Sequence, residues 1–180
     1  MTPDPDGIPS KVIVHVVEEI LNPLTYLMNL SFEKGVFPKK LKNSRVTPIP
    51  KKEGNLTLND IRPITITSVF SKIFEKLFAI RILKFLVENK KNTDRHHAYI
   101  EKRSTTTALS KLISLIKEKG DEEIVILSLD LTKAFDSVST SLIVEKAQTC
   151  GIRGEVSNWL KSFLFERTQF VELNKWENGI

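Results

Sequence analysis

Cysteine is almost missing from the chain: Cys150 is the single one among 180 residues. A lone thiol excludes an internal disulfide framework and suits a reducing compartment. Long apolar runs are missing too. None approaches the roughly 20 residues that a membrane-crossing helix needs. The first residues, Met1-Thr-Pro-Asp-Pro-Asp6, lack the basic and apolar regions of a secretory leader. These absences predict an intracellular protein, nuclear or cytoplasmic, with no membrane span. Metal-site spacing is also scarce. His96 and His97 are adjacent, so their side chains point apart, and no Cys or third His lies nearby to complete a zinc site. There is no internal repeat and no low-complexity segment.

The remainder is ordinary for a globular domain. Apolar residues are 41% and charged residues 27% of the chain. That length can bury a real core. The formal net charge is +5, and its distribution says more than its size. From Lys34 to Lys52 there are seven basic residues and no acidic one. Such a run is either a solvated lysine face or a surface that follows phosphates. Lys39, Lys40, Lys42, Arg45, Lys51 and Lys52 are its candidate nucleic-acid contacts.

Hydrophobic periodicity supplies the elements. Ser10 is expected to cap a helix from about 11 to 21, and Pro23 to start a second that Gly35 ends. Residues 45–49 read as a strand that Pro48 and Pro50 restrict to an edge. A polar turn and a second strand near 61–66 follow. Together these predict a two-stranded flap carrying Lys51, Lys52 and Arg62. Arg62 is either salt-bridged to Asp60 or a bidentate donor for a phosphate. A long helix is expected over 69–87, capped by Thr67 or Ser68, with a phenylalanine stripe that reads as core. Ser104 or Thr105 is expected to start a helix to about Lys119, Ser139 or Thr140 to cap one to about Thr149, and a further helix is expected over 155–164, with a last strand over 169–173. Ile124–Leu129 is an apolar run rich in β-branched residues, which predicts an interior strand, 124–131, flanked by three of the helices. Asp130 interrupts it where an ionised carboxylate needs a partner, a metal or water. Asp130 or Asp136 is equally readable as a helix cap.

Leu129-Asp-Leu-Thr-Lys-Ala-Phe-Asp-Ser-Val138 resembles the first catalytic motif of the reverse transcriptases of non-LTR retrotransposons. Other blocks match in the same order. Ile49-Pro-Lys-Lys52 and Ile61-Arg-Pro-Ile64 with Ser71-Lys-Ile-Phe-Glu-Lys76 resemble the two fingers motifs. Arg103-Ser-Thr-Thr-Thr-Ala-Leu109 and Gly151-Ile-Arg-Gly154 match the blocks on either side of the Asp motif. Asp6-Gly-Ile-Pro9 and Gly35-Val-Phe-Pro38 resemble the N-terminal extension. The likeness implies an α+β fold, the fingers and palm of a right-hand polymerase, here incomplete. It implies a division into a helical extension over 1–44, a fingers-like part over 45–120 and the start of a palm over 121–180.

The likeness also implies chemistry. Asp130 would be catalytic and would hold Mg²⁺ together with the backbone carbonyl of Leu131. Lys51 and Arg62 would hold the nucleotide triphosphate. Phe135 would lie under the incoming sugar, although spacing alone reads it as a core aromatic. The partners implied are an RNA template, a DNA primer and dNTPs. Two departures stand against full activity. Ala98-Tyr99-Ile100 replaces the family's Gly-Phe-Arg triplet, and no Asp-Asp pair occurs anywhere in the sequence. A catalytically incomplete portion of the enzyme is therefore expected. The alternatives are a nucleic-acid-binding remnant without chemistry and a degenerate reading frame that does not fold stably.

Overall fold

The computed structural model describes residues 4–51, 53, 57, 60–91, 95–120, 122–131 and 137–172. They divide into two compact units. One joins residues up to Ile80 with those from Ser139 on, and the other is Arg81–Val138. Among the described residues, no helix is long and apolar enough to cross a membrane.

The first unit opens with α1 (Ser10–His15) and α2 (Val17–Lys34). The break falls at Val16, inside a run of valines whose branched side chains disfavour helix. Pro23 therefore does not start a helix, as its preference for the first turn suggested. It lies inside α2, which runs through it despite the lost bond to the carbonyl four residues earlier. Gly35 ends α2 as expected, in the left-handed conformation at φ 62°. The next amide, Val36 N–H, returns to the Ser31 carbonyl at 3.0 Å.

A 3-10 turn, Lys39–Lys42, leads into β1 (Asn43–Pro50), which pairs antiparallel with β2 (Ile61–Thr67). The expected edge position of β1 needs correction. It is the middle strand of three, because β3 (Thr168–Val171) pairs with it in parallel over Asn43–Val46. The Val46 carbonyl accepts from Glu172 N–H on the β3 side. Backbone groups alternate sides along a strand, so Pro48 and Pro50 direct their missing donors to that same side, past the end of β3. The proline rule holds locally although the strand as a whole is central.

Helix α3 (Val69–Glu88) follows β2. Its first amide, Val69 N–H, donates to Asp4 Oδ2 at 3.0 Å. The other oxygen of the same carboxylate accepts from Asp6 and Ile8 N–H at 3.1 and 2.9 Å. Asp4 thus caps a helix 65 residues away, and the Ser68 hydroxyl expected in that role is buried without a hydrogen-bond partner. An acidic cap also complements the positive end of the helix dipole. Asp4→Ala should cost about 1–2 kcal/mol and lower the melting midpoint by about 2–8 °C at the scale of this chain. Asp4→Asn, which keeps the acceptor, should recover part of that. An unchanged midpoint in Asp4→Ala would remove Asp4 from the cap.

The core lies among α2, the start of α3 and α6 (Gly154–Leu164). Met28, Phe37, Phe74 and Trp159 are its buried centre. Trp159 stacks on Phe78 at 4.2 Å and meets the edge of Phe37 at 5.3 Å. Its Nε1 donates to Ser31 Oγ at 2.9 Å, and that hydroxyl donates to the Val36 carbonyl at 2.6 Å. The indole's one polar atom is satisfied in the interior, which is the condition for burying it. Helix α5 (Thr140–Thr149) precedes α6 and is capped by the Ser139 hydroxyl, as expected.

The second unit holds the C-terminal part of α3 and α4 (Thr105–Lys117). Ser104 and Thr107 close a reciprocal capping box at the start of α4. The interior strand expected over 124–131 is not formed. These residues pair with no strand, and all are exposed, Val125 at 94% and Leu129 at 83%. An interior strand takes its ladder and cover from segments distant in sequence. No described segment supplies either. Ile124–Leu127 instead run beside Leu112, Leu115 and Ile116 of α4 along a shallow apolar groove.

Candidate nucleic-acid interface

The β1–β2 ribbon positions the cations that the sequence singled out. Its register places Ile49 opposite Arg62. Lys51 follows Ile49 by two, so strand alternation assigns Lys51 and Arg62 to one face at diagonal reach, about 7–8 Å. Lys51 N–H donates to the Asp60 carbonyl at 2.7 Å, which closes the ladder just beyond β1. Asp60 Oδ2 accepts from Thr57 N–H and Thr57 Oγ1 at 3.0 and 2.7 Å. That carboxylate organises the turn, and no ion pair joins Arg62 to Asp60 among the described residues. Both Lys51 and Arg62 are exposed. Lys52 lies outside the described residues.

The rest of the basic run does not share one surface. Lys39 and Lys40 are exposed on the 3-10 turn. Lys42 is buried, and its Nζ donates to the Phe165 carbonyl at 3.3 Å. Arg45 is buried as well and pairs with Glu172 at 3.0 Å. Both reach partners on the segment around β3, where an inward cation is tolerated because it is paired. Of the candidate nucleic-acid contacts, Lys42 and Arg45 are thus held by partners within the fold. Arg167, which the sequence did not flag, is placed similarly. Its Nη1 donates to the Phe163 carbonyl at 3.1 Å, and its guanidinium lies over the Phe163 ring at 4.8 Å. Burial holds it below the usual arginine value, and the Glu75 carboxylate partly offsets this.

The second unit carries Asp130, exposed on a segment without helix or strand, and Leu131 beside it. Phe135 and Asp136 lie outside the described residues. Among the described residues no three His, Cys, Asp or Glu side chains group as a metal site would require. Asp130 by itself does not match the near-octahedral oxygen set that Mg²⁺ demands. His97 Nδ1 lies 2.9 Å from Thr107 Oγ1, at the capping box rather than at a ligand cluster. In the Ala98-Tyr99-Ile100 triplet the positive φ falls on Tyr99, at 57°.

Residues 49–179 match the model of the reverse transcriptase (RNA-dependent DNA polymerase) family. The chain is 31% identical over 127 residues to the Pol polyprotein of the type-1 retrotransposable element R2 of Bradysia coprophila, covering 69% of this chain and 14% of that protein. It is 30% identical over 139 residues to the R2 polyprotein of Nasonia vitripennis, covering 74% and 13%. It is also 25% identical over 181 residues to the RNA-directed DNA polymerase from the mobile element jockey of Drosophila melanogaster, covering 99% of this chain and 20% of that one. The chain thus spans a fifth or less of each of these relatives.

Proposed function

This chain belongs to the reverse transcriptase (RNA-dependent DNA polymerase) family, and from that membership we propose that its β1–β2 ribbon grips phosphate in an RNA-directed DNA polymerase of the non-LTR retrotransposon type. The observation that carries the reading is the placement of Lys51 and Arg62 on one exposed face of a two-stranded arm. Arg62 offers a planar fork that matches phosphate oxygens, and Lys51 adds a compact charge. Lys52 belongs to the same cluster by sequence. In this reading the ribbon meets the incoming dNTP or the nearest backbone phosphates. Lys39 and Lys40 follow the backbone of an RNA template or DNA primer. Residues 1–44, 45–120 and 121–180 correspond to an N-terminal extension, fingers and the beginning of a palm in a right-hand polymerase.

Asp130 is the catalytic carboxylate in this reading, with the Leu131 carbonyl beside it and Phe135 against the nucleotide sugar. The family works with a divalent metal. The described residues do not compose a site for one, so no step through Mg²⁺ is derived from this chain.

Titrating the chain against a primer–template duplex at several salt concentrations tests the reading. Three to four exposed cations should give log K a slope against log salt of roughly −2 to −4, at about 0.7–0.9 per phosphate contact. Affinity should not depend on base sequence, because phosphate contacts position a partner without reading it. Replacing Lys51, Lys52 and Arg62 together by alanine should flatten the slope by about two to three. Binding without salt dependence, or a slope the triple variant leaves unchanged, would rule out the ribbon as the phosphate grip.

A further inference from the structure

An apolar concavity of the first unit lies away from the β1–β2 ribbon. It is an open groove of about 610 Å³ with an apolar lining. One wall is α2, which contributes Ile20, Pro23, Leu24, Leu27, Leu30, Ser31 and Lys34. The opposite wall comes from Val36 and Leu41 with Phe70 and Phe74 of α3. Leu27 and Val36 are 55% and 54% exposed, so apolar surface remains uncovered on both walls.

Two observations specify what fits there. These α2 residues recur at three- and four-residue spacing and so share one face of the helix, a surface of the kind against which a second helix packs. From Ile20 to Lys34 the seam is about 21 Å long at 1.5 Å per residue, room for four turns of a second helix. The charge is one-sided as well. Lys34, the last residue of α2, and Lys40 line the same groove, and among the described residues that line it none is acidic. Neither lysine has a carboxylate partner among the described residues.

We propose that this groove docks an amphipathic helix of a partner protein whose acidic residues lie in its first turn. Acidic side chains favour helix N-termini. With them at the Lys34–Lys40 end, the partner runs antiparallel to α2 and the two helix dipoles oppose favourably. The site is independent of the phosphate reading except for Lys40, which both use. The apolar wall therefore discriminates between them.

The test is a fluorescence polarisation titration of the 180-residue chain with a synthetic helical peptide of about 18 residues. The peptide carries leucine at alternating three- and four-residue spacing and glutamate in its first turn, and a matched peptide has lysine there. The glutamate peptide should bind at least about tenfold more tightly. Leu27→Glu should weaken it by at least about tenfold, because a half-exposed leucine would otherwise be buried. Lys34→Glu with Lys40→Glu should reverse the preference between the peptides. That pair is exposed and leaves the core intact, so it stands as a test even if Leu27→Glu fails to fold. Equal affinity for both peptides, or no saturable binding, would overturn the proposal. So would a dimer seen by sedimentation that Leu27→Glu dissolves, since the groove would then hold a second copy. A primer–template duplex that displaces the peptide and is itself weakened by Leu27→Glu would overturn it too.

Discussion

Trp159→Ala should remove a large share of the stability of the first unit. The indole is 1% exposed and contacts Phe32, Phe37, Phe78 and Phe163 through its ring. Truncating a fully buried tryptophan costs about 3–5 kcal/mol, against a total of about 5–15 kcal/mol for a typical domain. The Ser31 hydroxyl keeps its bond to the Val36 carbonyl but loses its donor from Nε1. Trp159→Phe should therefore fall between, losing the hydrogen bond and part of the volume. Urea titration followed by circular dichroism reads both. A shift below about 0.5 kcal/mol for Trp159→Ala would be a surface-like response. It would deny that these aromatics form the core.

The second large effect is expected at a residue without a side chain. Gly35 sits at φ 62°, and a Cβ there would overlap Glu155 Oε2 and lie 2.9 Å from the Glu155 carbonyl oxygen. The carboxylate can swing aside; the backbone carbonyl cannot. Gly35→Ala therefore combines left-handed strain of about 1–2 kcal/mol with an overlap costing about 1–3 kcal/mol. Together they should destabilise by about 2–5 kcal/mol. Adding Glu155→Ala should relieve only the share due to the carboxylate. Full recovery in the double variant would show that the backbone approach does not matter.

The parts legible in the sequence are those that local chemistry determines. Gly35 as a helix end, Ser104 and Ser139 as caps, and the antiparallel pair β1 and β2 all follow from neighbouring residues. Lys51 and Arg62 were legible because a short ribbon carries its pattern on its surface. Lys42 and Arg45 were not. Their burial depends on Phe165 and Glu172, more than 120 residues further along the chain. Asp4 as the cap of α3 was hidden for the same reason, and the nearer Ser68 was the natural local choice. The run 124–131 misled in the opposite direction. Its composition suits an interior strand, but composition cannot supply neighbouring strands.

The discontinuity of the first unit bears on how the chain is made. The Phe37 amide donates to Ser162 Oγ across 125 residues, and β1 waits for β3 over a similar span. At a synthesis rate of about 5–20 residues per second, some 6–25 seconds pass between the appearance of α2 and that of the tryptophan that covers it. During that interval Phe32, Phe37 and Phe74 have no α6 to pack against, and the intervening 58 residues of the second unit emerge first. The newborn chain therefore presents an aromatic surface to the ribosome exit and its chaperones long before the residues that bury it exist.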